Sequence, residues 1–308
     1  MNTNAMIANI ELNGCIMNAS GVLCTNLFDL KQLDKSDTCA IVSKSCTLNR
    51  RDGNDEPRMW IDDMRYLKTI NSTGLANLGC HFYRDVKQEL NKPYFISISG
   101  LSIQENIDII NCLNEKPPDA IELNLSCPNI CGKSQIGYDF ISTEEMLRKI
   151  FENGVKSKLG LKLPPYFDFM HIQEMVNILY EFKGIEFITC INSLGRGMFV
   201  DPINESIVIK PNFGLGGIGG EGIKPIALSN VYQFSHLTNI DVIGCGGIKN
   251  GWDVFEHILV GAKAVQIGSI LYRAGPQTFK QLNDELKEIM GLKGYKSIHQ
   301  FRGCIQKI

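Results

Sequence analysis

Short apolar, β-branched runs recur along the chain, each closing in small or polar residues and each followed by a stretch with helical spacing. They end at Asn18-Ala-Ser-Gly21, Ile41-Val-Ser-Lys44, Phe95-Ile-Ser-Ile-Ser-Gly100 and Ile121-Glu-Leu-Asn124. Four more end at Gly160-Leu-Lys-Leu163, Ile188-Thr-Cys-Ile-Asn-Ser193, Val242-Ile-Gly-Cys245 and Val265-Gln-Ile-Gly268. Such runs separated by helical periods predict parallel strands joined by crossover helices. The apolar stripes between them are Ile103, Ile107, Ile110 and Leu113, then Ile172, Met175, Ile178, Leu179 and Phe182. Trp252, Phe255, Ile258 and Leu259 repeat the spacing, and Pro276 opens a last helix through Phe279, Leu282, Leu286 and Ile289. Ser142 with Glu145 reads as a capping box opening the helix that carries Met146 and Ile150.

Eight βα units predict an α/β fold, a single (α/β)8 TIM barrel spanning residues 1–308, with an open doubly wound sheet as the alternative. Two insertions interrupt the rhythm, residues 46–92 and the glycine-rich 194–223, which ends Gly214-Leu-Gly-Gly-Ile-Gly-Gly220. Both follow strand C-termini, the face on which a barrel keeps its active site, and long irregular segments of a compact domain usually serve function.

Composition narrows the partners. Net charge is −2 with 21% charged residues, so no strong field favours nucleic acid or a membrane surface. The 11 cysteines are an odd number at irregular spacing, the first twenty residues lack a secretory pattern, and no apolar run reaches the ~18 residues of a membrane span. The expectation is a soluble cytoplasmic protein with free thiols.

The candidate chemistry centres on Ala120-Ile-Glu-Leu-Asn-Leu-Ser-Cys-Pro-Asn129, a buried strand that breaks into amides, a hydroxyl and the thiol of Cys127. A thiol among amide donors suits acid/base or nucleophilic work on a polar, planar small molecule; an inert cysteine in a proline-broken loop is the alternative. Gly244-Cys-Gly-Gly247 and Gly268-Ser269 follow the last two strands, where a barrel places its phosphate site, and Gly219 and Gly220 can join the same cradle. Tight turns alone would also explain these glycines. Lys44 and Lys162 sit at apolar strand ends, where an ammonium needs an anion or a salt-bridge partner. Asn71, Asn124, Asn129, Asn192 and Ser193 add amides and a hydroxyl that match the edge of a pyrimidine or flavin. The five histidines fall outside strand ends and read as surface or packed residues. No Cys/His spacing suggests a metal, and no Gly-x-Gly-x-x-Gly follows the first strand, so a nicotinamide-binding Rossmann domain is not expected.

Ser43-Lys-Ser45, Asn71-Ser-Thr-Gly-Leu75, Asn124-Leu-Ser-Cys-Pro-Asn129, Lys162-Leu-Pro-Pro165, Asn192-Ser193 and Gly244-Cys-Gly-Gly247 together resemble the dihydroorotate dehydrogenases, specifically the soluble class 1A type. The resemblance runs from Asn18 to Gly303. It implies an FMN-binding barrel that oxidises L-dihydroorotate to orotate in pyrimidine biosynthesis, a homodimer reoxidised by fumarate, which becomes succinate. It implies Cys127 as the base taking the C5 proton while hydride leaves C6; because an unshifted thiol is mostly protonated at neutral pH, activity is expected to rise towards alkaline pH unless the loop depresses that pKa. Lys44, Asn71, Gly74, Leu75, Asn124, Ser126, Asn129, Asn192 and Ser193 match its substrate positions. Ala19, Ser20, Gly21, Lys44, Ser45, Asn124, Lys162, Gly219, Gly220, Cys245, Gly246, Gly247, Gly268 and Ser269 match its flavin and phosphate positions. The chain departs from the pattern at Thr73, where Met is usual, at Ala76, Cys131 and Ser134, where Pro is usual, and at Arg196, where Asn is usual.

Other readings stay open on the residues alone. They are another FMN barrel oxidoreductase acting on a different dihydropyrimidine or an enoate, a non-catalytic flavin- or phosphate-binding barrel, and a sugar-phosphate isomerase or aldolase using a Schiff-base lysine.

Overall fold

The computed structural model describes residues 1–62, 66–126, 135–306 and 308. Eight strands form one parallel sheet: β1 (Ile16–Asn18), β2 (Ile41–Val42), β3 (Tyr94–Ile98), β4 (Ala120–Asn124), β5 (Lys158–Lys162), β6 (Ile185–Cys190), β7 (Asp241–Cys245) and β8 (Ala264–Ile267). From β2 to β8 each strand pairs with its successor, and β8 returns to β1. Each of the predicted runs supplies one strand, and the cyclic order decides for the barrel over the open sheet. The seam between β1 and β2 carries no ladder among the described residues. It is bridged by the backbone bond Cys39 N–H to Ile16 O at 2.9 Å and by the side chain of Asn18, which bonds the backbone of Val42.

The helices are α1 (Leu27–Lys35), α2 (Cys80–Val86), α3 (Ile103–Glu115), α4 (Phe140–Asn153), α5 (Phe169–Glu181), α6 (Lys224–Leu237), α7 (Gly251–Leu259), α8 (Ser269–Ala274) and α9 (Thr278–Leu292). Side chains of Asn26, Ser102, Asp168 and Asn250 accept from backbone N–H groups in the first turns of α1, α3, α5 and α7 and set where each begins. The predicted stripes point inward: Ile110 and Leu113, Ile172, Met175, Ile178 and Leu179, and Phe279, Leu282, Leu286 and Ile289 are all buried.

Three local expectations are corrected. Asp139, not Ser142, caps α4; its carboxylate accepts from both the Ser142 N–H (3.0 Å) and the Ser142 hydroxyl (2.7 Å), satisfying two donors at once. Glu145 is drawn instead to Lys149 one turn on, at 2.8 Å. Trp252 is half exposed, because the shorter Phe255 and Ile258 already fill the inner face of α7 and the indole packs under the Lys293 ammonium, 5.7 Å from the ring centroid. The last helix begins at Thr278, two residues past Pro276.

The insertions, expected to be irregular, form a sheet together. Met59–Asp62 and Lys68–Asn71 from the first pair antiparallel, and Gly216–Gly220 and Leu194–Gly197 from the second continue the sheet on the Lys68–Asn71 edge. Low strand propensity hides a strand in a glycine run, which here is held by its neighbours' ladder bonds. At the opposite end of the barrel a hairpin, Ala5–Ile7 with Ile10–Leu12, is tied to the start of β7 by the Ala8 N–H to Asp241 Oδ2 bond of 2.9 Å. Among the described residues no helix is long and apolar enough to cross a membrane.

Candidate active site

Alternation along the strands turns Glu122, Lys162, Thr189 and Gln266 into the barrel interior, where all four are buried. They form one network. Lys162 Nζ donates to Gln266 Oε1 at 2.6 Å, and Gln266 Nε2 and Thr189 Oγ1 each donate to Glu122 Oε2 at 2.8 Å. Gln266 therefore stands between a lysine and a carboxylate, with the carboxylate fixing which way its amide points. Glu122 Oε1 is buried without a hydrogen-bond partner, and Glu122 lines the hollow above.

That hollow is also lined by Ser20, Gly21, Lys44, Ser45, Asn71, Thr73, Leu75, Asn124, Lys162, Asn192 and Ser193. Both predicted lysines and the amides of Asn71, Asn124 and Asn192 thus converge, although they come from the ends of β2, β4, β5 and β6 and from the first insertion. Gly74 does not line it. Its φ is +67°, and it turns the chain tightly over Asn54 between Thr73 and Leu75, which do. Ser126 lies behind the wall: its N–H and hydroxyl donate to Asn124 Oδ1 at 3.0 and 2.9 Å, and its oxygen accepts from Asn192 Nδ2 at 2.8 Å. It holds two site amides in register. Ser45 joins Ser20 and Ser97 through hydroxyl contacts of 2.9 Å each and accepts from Asn124 Nδ2 at 3.3 Å.

A second hollow shares Ser20, Asn71, Lys162, Asn192 and Ser193 with the first, so the two are continuous. Its far side is glycine: Gly219 and Gly220 from the insertion sheet, Gly246 and Gly247 after β7, and Gly268 with Ser269 after β8, together with Ala19 and Cys245. A Cβ on Gly219 would lie 2.7 Å from Thr69 Oγ1 and 3.1 Å from Ser269 Oγ, the pair that closes this end with a 2.8 Å hydroxyl contact. Gly247 has φ +75°, and a Cβ there would meet the Lys224 backbone nitrogen at 2.8 Å. The glycines thus make turns and also clear a cradle between backbones, which suits an anion.

Cys127, Asn129, Cys131 and Ser134 lie outside the described residues. Sequence reading passed over several that matter to the site. Glu122 and Gln266 were visible only as polar interruptions in apolar strands. Thr69 carried no signal. His257, placed among packed histidines, is buried under the glycine loop with Nε2 3.1 Å from Gly246 O, and burial pushes it down to about 4.

The dihydroorotate dehydrogenase family model matches residues 3–290. The chain belongs to the dihydroorotate dehydrogenase family. Among relatives, the dihydroorotate dehydrogenase (fumarate) of Trypanosoma brucei brucei is 43% identical, with 99% of each chain covered. Dihydroorotate dehydrogenase A (fumarate) of Lactococcus lactis subsp. cremoris is 45% identical over 99% of each chain, and the Lachancea kluyveri dihydroorotate dehydrogenase (fumarate) is 45% identical over 95% of this chain and 94% of that one. The crystal structure of the Eimeria tenella enzyme in complex with ferulenol shares the fold, with a TM-score of 0.82 at 16% identity over 98% of this chain and 88% of that one. Dihydroorotate dehydrogenases are flavin-dependent oxidoreductases, and a site built from lysines, amides and a glycine cradle is in keeping with that class.

Proposed function

We propose that this chain oxidises L-dihydroorotate to orotate with FMN as its bound cofactor and fumarate, reduced to succinate, as the final acceptor. The observation that carries this reading is the convergence of Lys44, Lys162 and the amides of Asn71, Asn124 and Asn192 on a hollow that opens into the glycine-lined cradle. The residues present fit FMN. Gly219, Gly220, Gly246, Gly247 and Gly268 with Ser269 would hold the phosphate, since the glycines put no side chain between it and their backbone. Ala19, Ser20, Gly21, Ser45, Asn124 and Cys245 would flank the ring system, with Lys162 at its pyrimidine edge. Bound FMN supplies the acceptor for the hydride leaving substrate C6.

The chain's own residues do the rest. Lys44, Asn71, Leu75, Asn124, Asn192 and Ser193 surround the substrate, with Gly74 and Ser126 shaping and bracing that wall. Side-chain amides present donors and acceptors together and so match an imide ring, while a lysine meets the carboxylate. Lys162 is anchored through Gln266, which leaves its remaining N–H groups for negative charge developing on the ring edge. By sequence, Cys127 is the base that takes the C5 proton onto Sγ, and Asn129 joins the substrate amides. A thiol of ordinary pKa, about 8.5, is only a few per cent thiolate at neutral pH, so turnover rises towards alkaline pH. Relatives named for fumarate support the acceptor.

The test is the visible spectrum of anaerobic purified protein, before and after L-dihydroorotate and then fumarate. A flavin band that bleaches and returns supports both half-reactions. A band that ignores dihydroorotate rejects the substrate, bleaching without return rejects fumarate, and a colourless protein rejects the cofactor.

A further inference from the structure

Away from the barrel mouth, α2 and α3 bring together Cys80, His81 and Cys112, whose ligand atoms all lie within 4.8 Å of one another. Cys112 Sγ is 3.4 Å from His81 Nδ1. In a tetrahedral zinc site, bonds of about 2.3 Å to sulfur and 2.0–2.1 Å to nitrogen set ligand atoms roughly 3.5–3.8 Å apart. The Cys112–His81 pair is therefore already at that spacing, and the other two pairs, at no more than 4.8 Å, would draw inward to reach it. The geometry points to a zinc site, unconnected with the flavin chemistry, in which Cys80, His81 and Cys112 are the three protein ligands and clip α2 to α3.

The donor chemistry selects the metal. Two thiols and an imidazole favour a borderline-soft cation such as Zn2+ over Mg2+ or Ca2+, which take oxygen ligands. Cys80 and Cys112 are buried while His81 is exposed, so an ion has a way in from solvent and a dry side to settle against. Arg84 Nη1, 3.7 Å from Cys112 Sγ, is placed to donate to a metal-bound sulfur, as outer partners of metal ligands do. Burial, and then the neighbouring Cys112 sulfur, push the Cys80 thiol up to about 12. A divalent cation reverses that order, because each Zn–S bond replaces an S–H bond and releases its proton to solvent. Linear spacing could not show the site, since Cys112 lies 31 residues beyond His81 on another helix.

The experiment is Co2+ titration of the chelator-treated, reduced, flavin-loaded protein, followed on the long-wavelength side of the flavin absorption, with Zn2+ then added. The expected result is one tetrahedral, thiolate-bound Co2+ per chain, displaced by Zn2+, and a thermal midpoint raised by Zn2+. Both effects should vanish in Cys112→Ser and in His81→Asn, whereas flavin content and turnover should not change. His81 is exposed, so its variant keeps the test decisive if Cys112→Ser folds poorly. No cobalt band, or one that survives in His81→Asn, overturns the proposal. So does a purified protein lighter by two hydrogens through a Cys80–Cys112 disulfide that takes up no metal after reduction.

Discussion

The side-chain amide of Asn18 bonds both backbone polar groups of Val42: Nδ2 donates to Val42 O at 2.7 Å, and Oδ1 accepts from Val42 N–H at 2.9 Å. One buried side chain thus does the work of a strand neighbour where the barrel has none. Replacing it by Leu, of similar size, would leave a buried donor and a buried acceptor unsatisfied. At about 1–3 kcal/mol for each, the expected loss is about 2–6 kcal/mol, read as a lower urea midpoint at unchanged slope. A loss below about 1 kcal/mol would mean that backbone bonds alone close the seam.

Lys162 meets Gln266 at 2.6 Å and faces the hollow. Lys162→Met removes a cation aimed at the proposed flavin edge and strands Gln266 Oε1. Flavin reduction by dihydroorotate should slow about 10²–10³-fold, the range for losing one preorganised donor, with stability falling by about 1–3 kcal/mol. Anaerobic stopped-flow absorbance measures the first and urea unfolding the second. Unchanged reduction would remove Lys162 from the chemistry.

His257 is held neutral by burial, its pKa lowered from 6.5 to about 4. The unfolded chain takes up this proton at higher pH than the folded one. Stability from this group is therefore complete above pH 6.5 and lost as pH falls towards 4, in all about 3 kcal/mol. Urea midpoints across that window should fall more steeply with acidification in the wild type than in His257→Gln. Parallel profiles would show that the imidazole protonates in place.

Arg196 lies at a bulge where Leu194–Gly197 faces Gly216–Ile218, with φ +58° and its side chain exposed. A left-handed backbone costs most residues about 1–2 kcal/mol, and Asn less. Arg196→Asn should stabilise by about 0.5–1 kcal/mol, a rise of roughly 2 °C in a thermal scan. A fall in Tm would mean that the guanidinium makes a compensating contact.

The barrel was legible because parallel strands buried on both faces are short apolar runs, and crossover helices repeat every three to four residues. Lys44, Lys162 and the amides could be found for the same reason: polar groups at the ends of such runs stand out. Glu122 and Gln266 were harder, since a single polar residue within a run does not announce a partner on a strand far along the chain. The α4 cap was misplaced because Ser142 and Asp139 both carry capping chemistry, and only the observed bonds show which one accepts. Asn18 and the Cys80–His81–Cys112 cluster depend on tertiary placement alone, to which local pattern is blind.

Asn71 sits in the middle of the insertion sheet, paired with Met59 on one side and with Gly217 on the other. Its two flanking strands thus come from stretches separated by half of the barrel strands; Asn71 and Gly217 are 146 residues apart. The mouth is in consequence a two-piece mould. Shortening or exchanging either insertion alone shifts the strand that carries a site amide, so a loop graft from a relative has to bring both halves to cast the same site.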